Sequence, residues 1–157
     1  MTEQTSMARP TMRVLLVEDD DDHAAITEHA LKRSPFQLVV DRVSDGVTLM
    51  DHLHGRGIYR GRPRPDLILL DLKMPRMSGH EALELIKGDD ALATIPVVVL
   101  STSNAELDRL RAYRSHANSF LVKPLEYADY GRMINDVIAY WGQWNESPRD
   151  PGQPVTP

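Results

Sequence analysis

Residues 67–71 read Leu-Ile-Leu-Leu-Asp, four large apolar side chains followed by a carboxylate. A short continuous apolar run of this kind is typical of a strand buried in a parallel sheet. Residues 74–79, Met-Pro-Arg-Met-Ser-Gly, follow closely and indicate a loop. Asp71 therefore stands at the carboxyl end of a buried strand, where open α/β sheets place their sites, and we expect it to carry chemistry.

Four further apolar runs alternate with segments of helical periodicity. They occupy residues 13–17, residues 38–40 with Val43, residues 96–100 and residues 119–122. This alternation is typical of βαβ units and predicts an α/β fold with a parallel sheet of five strands. The Gly-, Pro- and Arg-rich segment from Gly55 to Pro65 is expected to be a long exposed loop before the third strand.

Three other predicted strands end in polar side chains that would converge on Asp71: Glu18-Asp19, Ser101-Thr102 and Lys123-Pro124. Taken singly, each has a structural explanation, since a strand-end aspartate caps turns, a hydroxyl bonds locally and a lysine keeps its charge in water. Their convergence favours a functional interpretation. Thr102 lies beside Ser101, but the spacing to Lys123 favours Ser101 as the functional hydroxyl.

Helix starts are indicated by carboxylates, which favour the positive end of the helix dipole, and by capping residues. Asp20 to Asp22 are expected to start the first helix, Ser44 or Asp45 to cap the second, and Ser78 with Glu81 to start a third helix over residues 79–87. Ser103 with Glu106 repeats the pattern for the fourth helix. The last helix carries a broad apolar stripe that ends at Trp141, and Gly142 is its expected stop.

The length of 157 residues leaves room for one domain with short tails, and no second folded domain is expected. We place the domain at residues 12–141, with a disordered tail at 1–11 and a mostly disordered, proline-rich extension at 142–157. A net charge of −5 argues against a nucleic-acid surface. Cysteine is absent, and neither a signal peptide nor a membrane segment is evident, so a cytoplasmic location is expected.

In order and spacing, the polar strand ends resemble the receiver domain of two-component response regulators, the CheY-like phosphoacceptor family. The resemblance covers residues 12–140 and implies a doubly wound, flavodoxin-like (βα)5 fold with strand order 2-1-3-4-5. The implied site residues are the acidic pair Glu18 and Asp19, the phosphoacceptor Asp71, the switch hydroxyl Ser101, the switch aromatic Phe120 and the phosphate-contacting Lys123. A phenylalanine at position 120 replaces the commoner tyrosine and has no hydroxyl to anchor it.

The resemblance also implies Mg²⁺, held by Glu18, Asp19, Asp71 and the backbone carbonyl of Lys73. Independently of the family, a carboxylate nucleophile needs a divalent cation to neutralise an incoming phosphoryl group, and Mg²⁺ prefers oxygen ligands. The implied partner is a sensor histidine kinase, and the implied output is a change of the surface formed by the fourth helix, fifth strand and fifth helix. A cis bond before Pro124 is a further implication of the family.

The residues argue against two other classes of protein. An aspartate-based phosphohydrolase would use a second acid two residues after Asp71, but that position is Lys73, so we expect no enzyme beyond self-phosphorylation and self-dephosphorylation. Lys73 would instead screen the attacking water and slow hydrolysis of the phosphoprotein. A phosphorylation-independent interaction module would have lost the acids, the hydroxyl or the lysine.

Finer features narrow these expectations. The loop ending Arg64-Pro65-Asp66, the run Val-Leu-Ser-Thr-Ser at residues 99–103 and the tryptophans near the end resemble single-domain regulators paired with bacterial phytochrome kinases. A phosphate shuttle or sink for an unrelated histidine kinase is the alternative. The broad stripe with Trp141 and Trp144 predicts a homodimer through the face of the fourth and fifth helices. The six histidines show no zinc-ligand spacing and are expected at the surface.

Overall fold

Residues 11–148 are described by the structure, a computed structural model. Five parallel strands form one sheet in the order β2-β1-β3-β4-β5. The strands are β1 (Met12–Val17), β2 (Leu38–Val43), β3 (Leu67–Asp71), β4 (Val97–Ser101) and β5 (Ser119–Val122). The predicted fold class and strand order are therefore confirmed.

Helices cover both faces of the sheet because alternate strand residues point to opposite sides. The helices are α1 (Asp21–Lys32), α2 (Gly46–His54), α3 (Gly79–Gly88), α4 (Glu106–Arg114) and α5 (Tyr127–Ala139). Strand residues such as Ile68 and Leu70 pack with α2, α3 and α4, whereas Leu67 and Leu69 pack with α1 and α5. This two-sided burial explains why β3 is apolar at successive positions up to Asp71.

Three of the predicted helix starts have a side-chain cap. The carboxylate of Asp20 accepts from the backbone N–H groups of Asp22 and His23, and that of Asp45 accepts from Thr48 N at 2.8 Å. The Ser78 hydroxyl oxygen accepts from Glu81 N at 3.2 Å. These bonds satisfy backbone donors that the first turn of a helix leaves without partners.

The predicted cap of α4 is wrong. The helix begins at Glu106 with Ala105 at the N-cap, and no side chain caps it. Ser103 lies two residues before the N-cap position, and its hydroxyl instead donates to the Asp108 carboxylate at 2.8 Å. A bond to the nearby helix side chain thus replaces the capping bond.

The predicted stop at Gly142 is also wrong, since α5 continues into a π-helical turn at Tyr140–Trp144. Gly142 does not adopt the positive φ of a helix-ending glycine, and it faces Met12 and Phe36. Packing of Trp141 against the α1–α5 side of the core continues the helical path. The predicted tails fall mostly on residues 1–10 and 149–157, which lie outside the described residues.

None of the helices within residues 11–148 combines the length and apolar character of a membrane span.

Candidate functional site

Parallel pairing brings the carboxyl ends of four strands to one edge of the sheet. Val17 pairs with Leu70, Asp71 with Leu100, and Ser101 with Val122. The predicted site residues therefore lie together: Glu18 follows β1, Asp71 ends β3, Ser101 ends β4 and Lys123 follows β5. Glu18, Asp71, Ser101 and Lys123 are buried, whereas Asp19 is exposed.

The loop after β3 folds back onto the strand end. The backbone N–H of Gly79 donates to the Leu72 carbonyl at 2.9 Å. A Cβ at Gly79 would overlap the Asp71 carbonyl oxygen and would lie 2.6 Å from the Leu72 Cα. Only glycine therefore allows α3 to begin this close to Asp71, which explains the glycine in the Met-Ser-Gly segment.

The carboxylates of Glu18, Asp19 and Asp71 form an acidic cluster in which one oxygen of each lies within 4.8 Å of the others. This is the donor set expected for a hard divalent cation, because Mg²⁺ binds carboxylate oxygens and keeps several waters. Lys73 is exposed and lines the same small cavity, of about 210 Å³, beside Asp71. The residues present thus fit Mg²⁺.

The electrostatics of Asp71 indicate an excess of negative charge at the cluster. Burial, with smaller contributions from Glu18 and Asp19, raises the pKa of Asp71 to about 7, while Lys123 opposes the rise. A buried carboxylate near like charges favours its neutral form. A cation bound at the cluster would remove this penalty by neutralising the carboxylates together.

Lys123 is the counter-charge within this edge of the sheet. Its ammonium donates to Glu18 Oε2 at 2.6 Å and lies 3.8 Å from Asp71 Oδ1. Its backbone N–H donates to the Ser101 carbonyl at 2.7 Å, which fixes the residue beside β4. Lys123 thus pairs with Glu18 and stands near Asp71.

Ser101 is 1% exposed and its hydroxyl oxygen accepts from Ser103 N at 3.0 Å. The exposed Thr102, rather than Ser101, lines the cavity beside Asp71. Phe120 is half-buried in β5 and packs on the side of the sheet covered by α2, α3 and α4. Neither of the two predicted switch residues therefore lines the cavity.

A chain of polar side chains continues from Ser101 to α3. The Ser103 hydroxyl donates to the Asp108 carboxylate. The other oxygen of that carboxylate, Oδ1, lies 3.1 Å from Nε2 of His80. The Ser103 bond, and then the His80 contact, hold the pKa of the Asp108 carboxyl below its usual value. This arrangement ties the β4–α4 loop to α3 and α4.

Two expectations about the surroundings of the site are wrong. His52 and His80 are buried, not at the surface, because each lies against a carboxylate, Asp41 at 3.3 Å and Asp108 at 3.1 Å. No peptide bond within residues 11–148 is cis, so Lys123-Pro124 is trans. The trans isomer is the one that X–Pro bonds favour, by about 0.5–1 kcal/mol.

One site residue escaped the sequence analysis. His23, in the first turn of α1, places its Nδ1 3.1 Å from the ammonium of Lys123. It lines the cavity together with Asp71 and Lys73. No local pattern in the sequence marks it, because its partner Lys123 lies 100 residues further along the chain.

Comparison with known proteins assigns the family. Residues 14–135 match the sequence model described as the response regulator receiver domain. The chain belongs to the response regulator receiver domain family. As a receiver, it is a two-component response regulator, a role in which a histidine kinase is the partner.

Similar proteins include regulators of several systems. The chain is 42% identical over 137 residues to the probable methanogenesis regulatory protein FilR2 of Methanothrix harundinacea, covering 86% of each chain. It is 37% identical over 134 residues to response regulator Rcp1 of Synechocystis, covering 85% of this chain and 91% of Rcp1.

Solved structures agree in fold. The phosphorylated cyanobacterial phytochrome response regulator RcpA superposes with a TM-score of 0.86 at 35% identity, covering 89% of this receiver and all of RcpA (100%). The Mn²⁺-bound form of Rcp1 superposes with a TM-score of 0.84 at 36% identity, covering 88% of this receiver and 99% of Rcp1. Receivers bind Mg²⁺ or Mn²⁺ in the acidic pocket, and this chain has the acidic cluster.

Proposed function

We propose that Asp71 accepts a phosphoryl group from the phosphohistidine of a sensor histidine kinase. The observation that carries the proposal is a buried carboxylate at the end of β3, flanked by Glu18, Asp19 and the ammonium of Lys123. One Asp71 oxygen attacks phosphorus, the new O–P bond forms, and the N–P bond breaks. The electron pair of the broken N–P bond stays on the histidine nitrogen of the kinase.

Mg²⁺ is the proposed cofactor, with Glu18, Asp19, Asp71 and the backbone carbonyl of Lys73 holding it. When bound, the cation neutralises negative charge on the carboxylates and on the phosphoryl oxygens. Support comes from the mutual proximity of the three carboxylates and from the raised pKa of Asp71. Glu18 is the carboxylate that must serve both the cation and Lys123.

Lys123 and Ser101 are the proposed contacts to the phosphoryl oxygens. The ammonium of Lys123 is already 3.8 Å from Asp71, so a phosphoryl group there would meet a point charge. The Ser101 hydroxyl oxygen accepts from Ser103 N, and its own hydrogen could still be donated to the phosphoryl group. Phe120 is the proposed switch aromatic, and its packing against the α4 side of the core would couple this change to the α4–β5–α5 surface.

The proposed partner is a bacteriophytochrome kinase, and the stimulus is therefore light. Support for this finer proposal comes from the cyanobacterial phytochrome response regulator RcpA among the similar structures. We expect the transfer of the phosphoryl group to take place in the cytoplasm, because the kinase would use ATP there. Phosphotransfer from a purified bacteriophytochrome kinase within minutes would support this kinase as the partner. Transfer only from other kinases would favour the alternative, a phosphate shuttle or sink for an unrelated histidine kinase.

A homodimer is proposed through the α4–β5–α5 face. The apolar stripe of α5 does not itself support it, because residues such as Ile134 and Ile138 are buried against the sheet. Support comes instead from exposed apolar side chains: Leu107, Leu110, Tyr113, Val122 and Leu125, with Tyr140 and Trp144 in the extension of α5. Light scattering at tens of micromolar, with and without phosphorylation, would give a dimer mass; a monomer mass in both states would contradict the proposal.

The main proposal is tested by incubating purified protein with acetyl phosphate and Mg²⁺ and measuring intact mass. Wild type is expected to gain one phosphoryl group, about 80 Da, which disappears on omission of Mg²⁺. The matched variant Asp71→Asn keeps the size of the side chain but not the nucleophile, and is expected to gain nothing. Equal labelling of Asp71→Asn would overturn the assignment of Asp71.

A further inference from the structure

His23 lines two cavities at the carboxyl edge of the sheet. One, of about 210 Å³, contains the acidic cluster and Lys123. The other, of about 280 Å³, lies between α1 and the start of α5 and is lined by side chains including Ile26 and Tyr130. The imidazole is 38% exposed, and the backbone N–H of His23 is held by the Asp20 carboxylate at 3.0 Å. The helix start thus fixes where this ring stands.

The contact with Lys123 determines the role of Nδ1 in the imidazole. An ammonium group carries three N–H donors and no lone pair, so at the 3.1 Å contact Nδ1 of His23 is the acceptor. Lys123 therefore has two close acceptors, Glu18 at 2.6 Å and His23 at 3.1 Å.

The two acceptors differ in what else they can bind. Glu18 belongs to the acidic cluster, so a divalent cation there competes with Lys123 for the same carboxylate. His23 does not belong to the cluster; its nearest separation from Glu18, from Nδ1 to Oε1, is 4.0 Å. When a cation draws on Glu18, the imidazole of His23 is the acceptor that remains with the ammonium.

We propose that His23 is a positioning residue for Lys123, holding its ammonium beside Asp71 when Glu18 is engaged by a divalent cation. The inference rests on the proposed phosphoacceptor role of Asp71 and adds a residue to it. His23 acts through Lys123 and not on the phosphoryl group. Its loss should therefore slow phosphorylation without weakening the cation site.

The test compares His23→Ala with His23→Asn, since the asparagine Oδ1 lies at the same branch of the side chain as the histidine Nδ1. His29→Ala, on the exposed side of the same helix, is the matched control. The initial rate of labelling by acetyl phosphate at saturating Mg²⁺ should fall about tenfold in His23→Ala, the usual scale for losing one hydrogen bond to a charged group. It should recover most of the wild-type rate in His23→Asn and stay unchanged in His29→Ala.

Two further measurements separate positioning from a general structural effect. The Mg²⁺ dissociation constant from calorimetry should be the same in wild type and His23→Ala. The exchange-protected ¹⁵Nζ resonance of Lys123 should persist with Mg²⁺ in wild type and His23→Asn and be lost in His23→Ala. A wild-type labelling rate in His23→Ala, or a Lys123 resonance that this variant retains, would overturn the inference.

The NMR arm also keeps the inference distinct from the proposed function. If wild type takes no phosphoryl group, the proposed acceptor chemistry fails. The Lys123 resonance in the Mg²⁺-loaded protein still supports or contradicts the role of His23 in that case.

Discussion

The ammonium of Lys123 lies 2.6 Å from Glu18 but 3.8 Å from Asp71, so the lysine is paired with a carboxylate that is not the proposed nucleophile. Both partners of the close pair are buried, with side-chain exposures of 4% and 2%. Removing one partner of a buried pair leaves an uncompensated charge, whereas removing both charges leaves none.

Lys123→Met should therefore lower the free energy of unfolding of the metal-free protein by about 3 kcal/mol. Glu18→Gln combined with Lys123→Met should recover much of that loss, because the carboxylate that needed the ammonium is gone. Urea denaturation gives the free energy of unfolding of both variants and of Glu18→Gln alone, which together with wild type form a double-mutant cycle. Losses that simply add in the double variant would mean that the pair does not interact.

The raised pKa of Asp71 predicts a pH dependence of stability. A folded-state pKa of about 7, above the ordinary 3.8, means that the folded protein binds the proton more tightly than the unfolded chain. The resulting stability is fully present below pH 3.8 and is lost as pH rises through about 7. Asp71→Asn has no carboxyl group at position 71, so it should not lose stability in this way as pH rises.

In EDTA at pH 8, Asp71→Asn should accordingly be more stable than wild type, by up to about 4 kcal/mol, and the difference should shrink toward pH 4. Denaturation across this pH range measures it. Asp136→Asn, at an exposed position of α5, is the control and should show no such trend. A constant difference between Asp71→Asn and wild type would contradict the assignment of the raised pKa to Asp71.

Arg76 anchors the β3–α3 loop to the start of α2. Its Nη2 donates to both carboxylate oxygens of Asp45 at 2.9 Å, and its φ of 65° is unusual for a residue with a Cβ. Arg76→Ala removes the anchor but keeps the backbone penalty, while Arg76→Gly removes both. The glycine variant should therefore be the more stable of the two by about 1 kcal/mol in urea denaturation. An alanine variant as stable as wild type would show that the pair does not matter, and a glycine variant no more stable than the alanine variant would show that the conformation does not.

Gly79 and Gly88 lie in the same helix and make a matched pair. A Cβ at Gly79 would strike the backbone of Asp71 and Leu72, whereas a Cβ at Gly88 meets open space. Gly79→Ala should destabilise the protein by about 1–3 kcal/mol and weaken Mg²⁺ binding, because the strand end carrying Asp71 must shift. Gly88→Ala should be neutral or stabilising by up to about 1 kcal/mol. Thermal denaturation and calorimetry with Mg²⁺ provide both readouts; unchanged Mg²⁺ affinity in Gly79→Ala would contradict the shift.

Lys73 lines the cavity beside Asp71 and is expected to hinder the water that hydrolyses the phosphoprotein. Replacing the long cationic side chain with the shorter asparagine should shorten the phosphoryl half-life several-fold, which is less than the roughly 10²–10⁴-fold effect of a group that itself transfers the proton. The decay of the phosphorylated mass after removal of acetyl phosphate measures it. The same half-life in Lys73→Asn and wild type would rule out the screening role.

The strands and the positions of Glu18, Asp71 and Lys123 could be predicted because a buried parallel strand is apolar throughout and its polar end residues stand out. Helix ends were predicted where a single side chain decides them, as at Asp45 and Ser78. The start of α4 and the end of α5 were not predicted correctly. The Ser103 hydroxyl binds the Asp108 carboxylate in place of a capping bond, and Trp141 packs against the core.

The contact between His23 and Lys123 joins residues 100 apart in sequence, so only the packed fold brings it into view. The burial of His52 and His80 was missed for a related reason. Each depends on a carboxylate of a different element, Asp41 in β2 and Asp108 in α4, and no local pattern in the sequence marks such pairs.

The central claim is that Asp71 forms an acyl phosphate, and chemical trapping tests it most directly. Protein incubated with acetyl phosphate and Mg²⁺ is reduced with borohydride, which converts an aspartyl phosphate to homoserine, and is then digested and sequenced by mass spectrometry. Homoserine at position 71, absent when acetyl phosphate is omitted, is the predicted result. Homoserine at Asp19 or at another acid, with Asp71 intact, would contradict the account.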